Sequence, residues 1–390
     1  MSGVAAASAA LHRRVRAFAR RALGVTAAGS DAQAPPPPES FEALGLDIAR
    51  FQACHGAALA RLCRHHGASF TSLDGVPAVP ADAFRLGRVA VHAEPDDEAS
   101  FSTSGTTGGA GRHVFRTLET YRELCVSWGR QALLGAEPRC TVVALAPAFE
   151  PERRSSLGFM MQQFMLAFDG RGLDGGGFDP LAPGRWLLAS GRVDVDGLRR
   201  GARVAAERGE PLLLLATSFA LVWLLDELAG GELPLPAGSR VMLTGGFKGR
   251  ARSVDERDLA EALCRSFALD PDHLIGEYGM TELSSQLYDG GQQRRAEGRS
   301  VFAEPPWLRV TPVDPISLEP VPDGAEGLAC FTDLANVDSA LRVLTLDRVR
   351  RVEGGLWLCG RQPGARLRGC SLAVELLAGW QEPGARGATP

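Results

Sequence analysis

Lysine is nearly absent from this chain of 390 residues: Lys248 is the single lysine among 42 basic residues, and the others are arginine. The 46 acidic residues leave a formal net charge of −4, so the basic excess typical of nucleic-acid-binding proteins is missing. Long apolar runs are missing as well, because Thr217, Ser218 and Asp226 interrupt the most apolar segment, 211–228. We therefore expect neither a nucleic-acid partner nor a membrane-spanning helix.

Closely spaced cysteine pairs are also absent. The eight cysteines are scattered along the chain and none forms a Cys-X-X-Cys pair, which argues against a zinc site and against a disulfide framework. The first 25 residues carry five arginines but no continuous apolar core with a cleavage site, so they differ from a secretory signal. These features predict a cytoplasmic protein with reduced thiols.

Short apolar runs that alternate with helical stretches indicate the fold class. The predicted buried strands are Thr141–Leu145, Leu212–Ala216, Arg240–Leu243, His273–Gly276, Leu328–Phe331 and Leu356–Cys359. Helical spacing is found in Phe41–Gly67, Leu118–Leu134, Gly197–Arg208 and Val254–Phe267. Strands and helices that alternate at this spacing predict an α/β fold with mostly parallel sheets.

The segment 102–111, rich in glycine and hydroxyl residues, is the most informative part of the sequence. Its backbone N–H groups can approach an anion closely, and its hydroxyls can donate further hydrogen bonds to phosphate oxygens. It is not a Walker loop, because no Gly-Lys-Ser/Thr follows. A plain surface loop is the alternative interpretation. We favour phosphate binding because Ser104-Gly-Thr-Thr-Gly108 is an uncommon string with a second matching motif downstream.

This string resembles the phosphate loop of the adenylate-forming superfamily, which contains acyl-CoA synthetases, luciferases and the adenylation domains of peptide synthetases. The resemblance implies that the phosphate contacts are Ser104, Gly105, Thr106, Thr107 and Gly108. The superfamily loop usually continues with Pro-Lys-Gly. Here Ala110-Gly-Arg112 follows, so Arg112 is the nearby cation that could serve the phosphates.

Glu277-Tyr-Gly-Met-Thr-Glu282 matches the superfamily's adenylate motif residue for residue. The resemblance implies that Tyr278 stacks on adenine, that Gly279 belongs to the nucleotide-binding turn, and that Thr281 hydrogen-bonds the α-phosphate during catalysis. It also implies that Glu282 helps to hold Mg²⁺, a hard cation that prefers carboxylate oxygen. A loop that follows the carboxyl end of a strand is where α/β proteins place ligands. For Glu282 taken alone, a solvated loop acid is the alternative.

Asp347 and the pair Gly360-Arg361 resemble a third superfamily segment, in which the aspartate binds the ribose hydroxyls. Arg361 accordingly offers positive charge to a phosphate or to the ribose. A surface ion pair is the alternative for an Asp that precedes an Arg. The three motifs lie in the superfamily's order, which implies that a carboxylate attacks the α-phosphate of ATP and pyrophosphate leaves, with ATP and Mg²⁺ as cofactors.

Thr244-Gly-Gly-Phe-Lys-Gly249 contains the single lysine. The resemblance implies that Gly245 and Gly246 let the backbone pass close to adenine. Superfamily members carry a catalytic lysine in a mobile C-terminal domain that follows the hinge, and the 390 residues here lack that domain in full. A compact ammonium and a planar guanidinium are not equivalent at a phosphate. We hypothesise that Lys248 partly replaces the missing lysine, with chance survival as an equal alternative.

The short segment after 361 narrows the resemblance to the LuxE-type acyl-protein synthetases, the ligase subunits of bioluminescence fatty-acid reductase systems. The segments that agree are Leu44–Gln52, Pro77–Pro80 with Phe84, Arg154–Leu157, Gly276–Tyr288 and Arg368–Leu372. The resemblance spans 41–375, which we interpret as one acyl-protein synthetase domain of stacked α/β subdomains. Residues 1–40 are predicted to be a basic, alanine-rich, frayed helix with a proline-rich tether, and 376–390 a loose tail.

The resemblance implies that the acyl group moves from acyl-AMP to Cys370, and then to an acyl reductase or acyl-carrier partner. Arg366 and Arg368 would favour the nucleophilic thiolate of Cys370. Cys359 as the acceptor, or no covalent intermediate at all, are the alternatives.

The acid substrate implied by the resemblance is a long-chain fatty acid, which needs an apolar tunnel. The side chains that could line one are Phe159, Met160, Met161, Phe219 and Trp223. Ordinary core packing is the alternative interpretation of these residues. For the whole chain, two further functions stay open: a ligase that delivers its adenylate to coenzyme A or a carrier protein, and a non-catalytic subunit that binds nucleotide or acyl chains.

Overall fold

The computed structural model describes residues 3–25, 39–103, 111–173, 177–179, 181–182, 184–245, 255–290, 295–296 and 299–362. The helices in these ranges are α1 (Gly3–Ala22), α2 (Phe41–His55), α3 (Ala57–His65), α4 (Ala83–Leu86), α5 (Glu119–Leu133), α6 (Ser156–Phe164), α7 (Val195–Glu207), α8 (Ser218–Leu228) and α9 (Glu256–Phe267). None of them combines the length and the apolar character that a membrane-spanning helix needs.

The strands in the same ranges are β1 (Val79–Pro80), β2 (Ala99–Ser102), β3 (Arg112–Phe115), β4 (Thr141–Leu145), β5 (Leu188–Ala189), β6 (Arg192–Val193), β7 (Leu212–Thr217), β8 (Arg240–Thr244), β9 (Leu274–Tyr278), β10 (Leu287–Asp289), β11 (Arg295–Ala296), β12 (Arg299–Ser300), β13 (Phe302–Ala303), β14 (Leu308–Val313), β15 (Glu326–Asp333), β16 (Arg342–Val352) and β17 (Gly355–Arg361). Each predicted strand lies on an observed one, with ends that differ by at most two residues.

One large mixed sheet organises the molecule. Its strand order is β14-β15-β16-β17-β13-β10-β9-β8-β7-β4, and β1 pairs with β16 beside this path. The strands β4, β7, β8 and β9 pair in parallel, whereas the neighbours from β9 through β14 pair antiparallel. The structure thus confirms the α/β class. The expectation of mostly parallel sheets holds for one half of the sheet and is wrong for the other.

Helices cover both faces of the parallel half. Helices α5 and α6 pack on one face, around the buried residues Met161, Phe164 and Met242, and we call this cluster the α5–α6 core. Helices α7, α8 and α9 pack on the opposite face, with Leu214 and Leu221 in their cluster. Because both faces are buried, the parallel strands are continuous apolar runs, which made them visible in the sequence.

Helix α1 forms as predicted, but the expected fraying is wrong. Its residues Leu11, Val15 and Ala19 are buried in the cluster that also contains the core of the antiparallel half. The buried His12 Nε2 lies 2.8 Å from Asp338 Oδ2, which ties the helix to a distant loop. A helix that buries one face and makes such contacts is docked. The predicted tether falls mostly on 26–38, outside the described residues, and the domain boundary at 40 stays a prediction.

The helical stretch predicted for 41–67 is divided into α2 and α3. Gly56 separates them, with an extended backbone at φ −93° and ψ 105°. Ser40 caps α2, because its side chain accepts a hydrogen bond from the Ala43 N–H. The pair of helices therefore bends at Gly56, and α2 contributes Leu44 and Ile48 to the core of the antiparallel half.

Candidate active site

The carboxyl ends of the parallel strands meet at one edge of the sheet. Thr217 of β7 pairs with Thr244 of β8, and Thr244 pairs with Glu277 of β9. The loops that follow these strands leave the sheet on the same side, because the strands run parallel. One of these loops begins with Gly245, and another contains Thr281. The fold therefore gathers Gly245, a predicted adenine contact, and Thr281, a predicted α-phosphate contact, at one edge.

The base of the glycine- and hydroxyl-rich loop is fixed by a hairpin. Ser102 of β2 pairs with Arg112 of β3. Beyond them, the Thr103 N–H donates to the Gly111 carbonyl at 2.9 Å, and the Gly111 N–H donates to Thr103 Oγ1 at 2.8 Å. The predicted phosphate contacts Ser104, Gly105, Thr106, Thr107 and Gly108 lie outside the described residues. Arg112 is described and exposed at the end of the hairpin.

Thr281 lies against the base of this loop. Its Oγ1 is 3.5 Å from the Ser102 carbonyl oxygen and 3.4 Å from Ser156 Oγ at the start of α6. The sequence separates Thr281 from Ser102 by 179 positions. The structure thus brings the second predicted motif next to the first one.

His113 fixes the backbone of the motif that contains Thr281. Its Nδ1 lies 2.8 Å from the Thr281 carbonyl oxygen, and its Nε2 lies 2.8 Å from Ser339 Oγ. Burial lowers the pKa of His113 to about 4, so its imidazole is neutral at neutral pH. A carbonyl can only accept, which assigns the proton to Nδ1 and leaves Nε2 to accept from the Ser339 hydroxyl. Sequence reasoning missed this residue, although it follows Arg112 directly.

Tyr278 and Asp347 join the second motif to the third. The Tyr278 hydroxyl donates to Asp347 Oδ2 at 2.8 Å. The Tyr278 ring stacks on Phe331, with ring centroids 5.9 Å apart and an interplanar angle of 10°. Asp347 pairs with Arg361 across β16 and β17, so these predicted nucleotide contacts are neighbours. Phe331 thus packs against one face of the Tyr278 ring.

Glu282 is a buried carboxyl beside this pair. Glu282 is 8% exposed, and burial raises the pKa of its carboxyl to about 7. Arg361 lowers that pKa, whereas Asp82 and Asp347 raise it, so all three charges lie close to Glu282. The Asn336 side chain donates to the Glu282 carbonyl at 3.0 Å and holds its backbone.

Gly245 is suited to close approach of the backbone to a ligand. Its φ is +72°, in the left-handed region that favours glycine, and a Cβ there would meet nothing within 4 Å. The Ser218 hydroxyl donates to its carbonyl at 2.6 Å. Gly246 and Lys248 lie outside the described residues, so the hypothesis about the single lysine stays a prediction. Gly279 is exposed at the turn after β9.

Glu277 is a site residue that sequence reasoning passed over. The resemblance to the adenylate motif implies no role for this residue. The residue is 6% exposed, the Thr244 hydroxyl donates to its Oε2, and burial raises its pKa to about 7. The signal that could have found it is an acidic residue within an otherwise apolar strand, two positions after Ile275.

The proposed acyl acceptor Cys370 lies outside the described residues. The alternative acceptor Cys359 is on β17 and half-buried, and burial followed by the charge of Glu326 raises the pKa of its thiol. Burial also raises the pKa of Cys140, to about 12. A raised pKa disfavours the thiolate, so these two cysteines are poor nucleophiles.

The residues predicted to line an acyl tunnel are divided between two places. Phe159, Met160 and Met161 lie on α6 and are buried in the α5–α6 core. Phe219 and Trp223 lie on α8, which packs on the opposite face of the sheet, and their ring centroids are 4.6 Å apart. The structure therefore does not bring all five together.

The chain is similar to curated ligases. No protein-family model matches it. A long-chain-fatty-acid–luciferin-component ligase from Aliivibrio fischeri is 20% identical over 291 residues, which cover 73% of this chain and 71% of the relative. The protein of the same name from Vibrio harveyi is 25% identical over 316 residues, 78% of each chain. These relatives confirm the resemblance that the motifs indicated.

Solved structures share the fold. A 2-hydroxyisobutyryl-CoA ligase with 2-HIB-AMP and CoA in the thioesterification state has a TM-score of 0.57 at 14% identity, and the match covers 85% of this chain and 73% of that one. An open conformation of the same ligase has a TM-score of 0.54 at 14% identity, with coverage of 87% and 83%. This similarity confirms the α/β fold of the adenylate-forming ligases.

Proposed function

We propose that this protein is an ATP-dependent ligase that activates a long-chain fatty acid as acyl-AMP and then transfers the acyl group to its own cysteine. The observation that carries the proposal is the convergence of three motifs at one sheet edge: Thr281 adjoins Ser102, and Tyr278 is bonded to Asp347. The names of the curated relatives and the shared ligase fold support the same activity.

In the proposed first step, a carboxylate oxygen of the acid attacks the α-phosphorus of ATP. The bond from that phosphorus to the oxygen bridging to the β-phosphate breaks, and pyrophosphate leaves. Charge develops on the α-phosphate oxygens, so a fixed donor there lowers the barrier. Thr281 offers its hydroxyl, held in place through its backbone by His113. Arg112 and Arg361 are exposed and offer positive charge to the phosphates.

The nucleoside is assigned to Tyr278, Asp347 and Gly245. A carboxylate has acceptor sites for more than one donor, so Asp347 can accept from the Tyr278 hydroxyl and from a ribose hydroxyl together. The ring of Tyr278 supplies a flat surface for adenine, and Phe331 supports that ring from behind. Gly245 contributes a backbone without a side chain beside it.

The residues present fit Mg²⁺ as it is held in nucleotide sites. There Mg²⁺ uses one or two carboxylates together with substrate phosphates. Glu282 is the carboxylate we assign to it, and the described part of the chain contains no group of three or more His, Cys, Asp or Glu side chains poised as a metal cage. Bound Mg²⁺ would supply charge neutralisation at the phosphates.

In the proposed second step, the thiolate of Cys370 attacks the carbonyl carbon of acyl-AMP. The bond from that carbon to the phosphate oxygen breaks, AMP leaves, and the thiol proton passes to solvent. An acyl reductase or an acyl-carrier protein would accept the acyl group from the thioester. The raised thiol pKa of Cys359 supports Cys370 as the acceptor over that alternative.

Lys248 is assigned a supporting role at the phosphates, and conservative substitution tests it. We expect Lys248→Arg and Lys248→Ala to lower the rate of ATP–pyrophosphate exchange, because neither side chain reproduces a compact ammonium. Exchange at the wild-type rate in both variants would contradict this role without affecting the proposed reaction.

The direct experiment incubates the protein with ATP, Mg²⁺ and octanoate, dodecanoate, tetradecanoate or hexadecanoate. ATP–pyrophosphate exchange reports adenylation, and intact mass reports acylation. We expect exchange in wild type, in Cys370→Ser and in the exposed control Cys54→Ser. A hydroxylamine-labile acyl adduct is expected in wild type and in the control, and not in Cys370→Ser.

Two results would overturn parts of the proposal. Formation of AMP and pyrophosphate without an adduct would assign the acyl group to an external acceptor such as coenzyme A or a carrier protein. Absence of exchange with every acid would favour a non-catalytic subunit that binds nucleotide or acyl chains.

A further inference from the structure

A buried polar row crosses the sheet at the edge of the α5–α6 core. Glu277 of β9 pairs with Thr244 of β8 on one side and with Tyr288 of β10 on the other, so the three side chains share one face of the sheet. Two positions earlier on β8 and β9, Met242 and Ile275 face the same core. The polar row therefore lies between an apolar layer and the candidate site.

The polar groups of this row have few partners among the described residues. Glu277 is 6% exposed and Tyr288 is 2% exposed. Thr244 donates to one oxygen of Glu277, and within the described ranges no other side chain or backbone group donates to that carboxyl. The Tyr288 hydroxyl has no hydrogen-bond partner among the described residues either. Buried polar groups are normally paired, so a ligand that pairs with both would bind favourably here.

The two groups are close enough to share one ligand. Residues that pair directly across antiparallel strands have Cβ atoms about 5 Å apart, which applies to Glu277 and Tyr288. Burial, and next the charge of Glu277, raise the pKa of Tyr288 far above its ordinary value. Tyr121 of α5 also faces this region, and its hydroxyl accepts from the Gln286 side chain at 3.4 Å.

Two glycines adjoin the row on the side of the candidate site. A Cβ on Gly279 would lie 2.5 Å from Glu277 Oε1, so any other residue there would crowd the carboxyl. Gly245 follows Thr244 directly and has open space where a Cβ would be. Thr281 is four positions after Glu277. The inference requires an acid whose carboxylate reacts beside Thr281 to place its first carbons next to Glu277.

We propose that Glu277 and Tyr288 recognise a hydroxyl group near the carboxyl of the acid substrate, so that the preferred substrate is a hydroxylated fatty acid. The inference rests on the proposed function, because it names the substrate class of the same site. The hydroxyl donates to the Glu277 carboxylate and accepts from Tyr288, which pairs both groups at once. A plain fatty acid leaves Tyr288 unpaired and Glu277 with Thr244 as its partner, and is discriminated against for that reason.

The experiment compares dodecanoate with 2-hydroxydodecanoate and 3-hydroxydodecanoate in ATP–pyrophosphate exchange. We expect wild type to prefer one hydroxy acid by about tenfold or more in kcat/KM, the range of a hydrogen bond to a charged group. Glu277→Leu should lose that preference, so that its kcat/KM values for the three acids become similar. Ile275→Val, on the same strand and face, is the matched control and should keep the preference.

A binding measurement separates recognition from turnover. Acyl-sulfamoyl adenosines made from dodecanoate and from the preferred hydroxy acid imitate the two acyl adenylates. Calorimetry should give wild type a lower Kd for the hydroxylated analogue by about tenfold, and Glu277→Leu equal Kd values for the two. The melting temperature of each variant verifies that it is folded.

Failure of this inference can be distinguished from failure of the proposed function. Exchange with dodecanoate at the same or higher kcat/KM than with both hydroxy acids would overturn the inference and leave the proposed function intact. A preference that Glu277→Leu retains would also overturn it, since another residue would then recognise the hydroxyl. Absence of exchange with all three acids, together with no analogue binding, would contradict the proposed function itself.

Discussion

Thr281 contacts three parts of the candidate site that are distant from it in sequence. Its hydroxyl faces the base of the glycine-rich loop and the start of α6, and its carbonyl is held by His113. The side chain is thus positioned by contacts to three segments that are distant in sequence. Such fixed placement is what an electrostatic contribution to catalysis requires, because a donor that must reorganise during the reaction stabilises less.

Replacing Thr281 tests this placement. We expect Thr281→Ala to lower the rate of ATP–pyrophosphate exchange by about 10²- to 10³-fold, the loss typical for one positioned donor. Thr311→Ala, the same substitution on β14, should leave the rate within about twofold. Stopped exchange assays of both purified variants measure the effect, and a wild-type rate in Thr281→Ala would remove Thr281 from the reaction.

Glu277 makes the free energy of unfolding depend on pH. Burial raises its pKa from 4.5 to about 7 in the folded state, so the folded protein holds the proton more tightly than the unfolded chain. Its contribution to stability is therefore greatest below pH 4.5 and is lost as pH rises to 7. Relative to wild type, Glu277→Gln should gain about 3 kcal/mol across that range.

Urea unfolding at several pH values gives this difference. The exposed substitution Glu256→Gln on α9 is the control. Comparison between variants removes the contribution of Asp333, whose pKa burial raises to about 6 and which titrates in the same range. A Glu277→Gln difference that is independent of pH would show that Glu277 ionises freely.

Among the helices, α1 is attached to the rest of the molecule partly through one buried carboxylate. Asp338 Oδ1 accepts from the Ser8 hydroxyl at 2.5 Å, and its Oδ2 lies 2.8 Å from His12 Nε2 and 3.4 Å from Arg116 Nε. Burial would raise the pKa of Asp338, but His12, Ser8 and Arg116 together bring it below its ordinary value. The carboxylate therefore stays ionised and keeps α1 attached to the loop after β15.

Removing that carboxylate should release the helix. We expect Asp338→Ala to destabilise the protein by about 3–5 kcal/mol, because His12 and Arg116 lose their buried partner. Hydrogen exchange should increase first in α1, where the contacts are lost. Asp272→Ala, on the helical turn before β9, serves as a control. Unchanged protection of α1 would mean that its apolar face alone holds it.

The strands of the parallel half could be predicted from the sequence because helices cover both of their faces. Strand β16 could not be predicted in this way. Its second half contains the charged residues Asp347, Arg348 and Arg350, so no apolar run marks that half of the strand. The docking of α1 was missed for a related reason. Ser8 and His12 look solvent-facing in a helical pattern, and their partner is more than 300 positions away.

In the candidate site, too, residues in recognisable motifs could be predicted, whereas residues that depend on distant partners could not. Tyr278, Thr281, Glu282 and Asp347 were found because they belong to recognisable motifs, and their roles stay predictions. Glu277 was passed over because its burial depends on partners in other strands, which no local pattern reveals. Residues that act through cross-strand neighbours are identified once the register is known.

At the scale of the whole molecule, the candidate site lies between the parallel and antiparallel halves of the sheet. Gly245 and Glu277 belong to the parallel half, whereas Asp347 and Arg361 lie on antiparallel strands. A ligand that contacts all four residues would connect the two halves. Binding to the folded state alone adds stability by mass action, about 2.7 kcal/mol at a ligand concentration of 100 Kd.

Hydrogen exchange with a bound acyl-sulfamoyl adenosine tests this arrangement. We expect protection to increase in β7 and β8 of the parallel half and in β16 and β17 of the antiparallel half. Asp347→Ala should weaken binding of the analogue and reduce the increase in protection in both halves of the sheet. Protection confined to one half would contradict a nucleotide site built from both.

The contact between Ser8 and Asp338 also sets the order in which the chain can fold during synthesis. The two residues are 330 positions apart, so α1 leaves the ribosome roughly 15 to 70 s before its partner does at ordinary translation speeds. During that interval the apolar face of α1 can pack against α2 and α5, which are made earlier, but Ser8 and His12 lack their carboxylate partner. The polar attachment of the helix to the loop after β15 thus forms last, after its apolar packing has become possible.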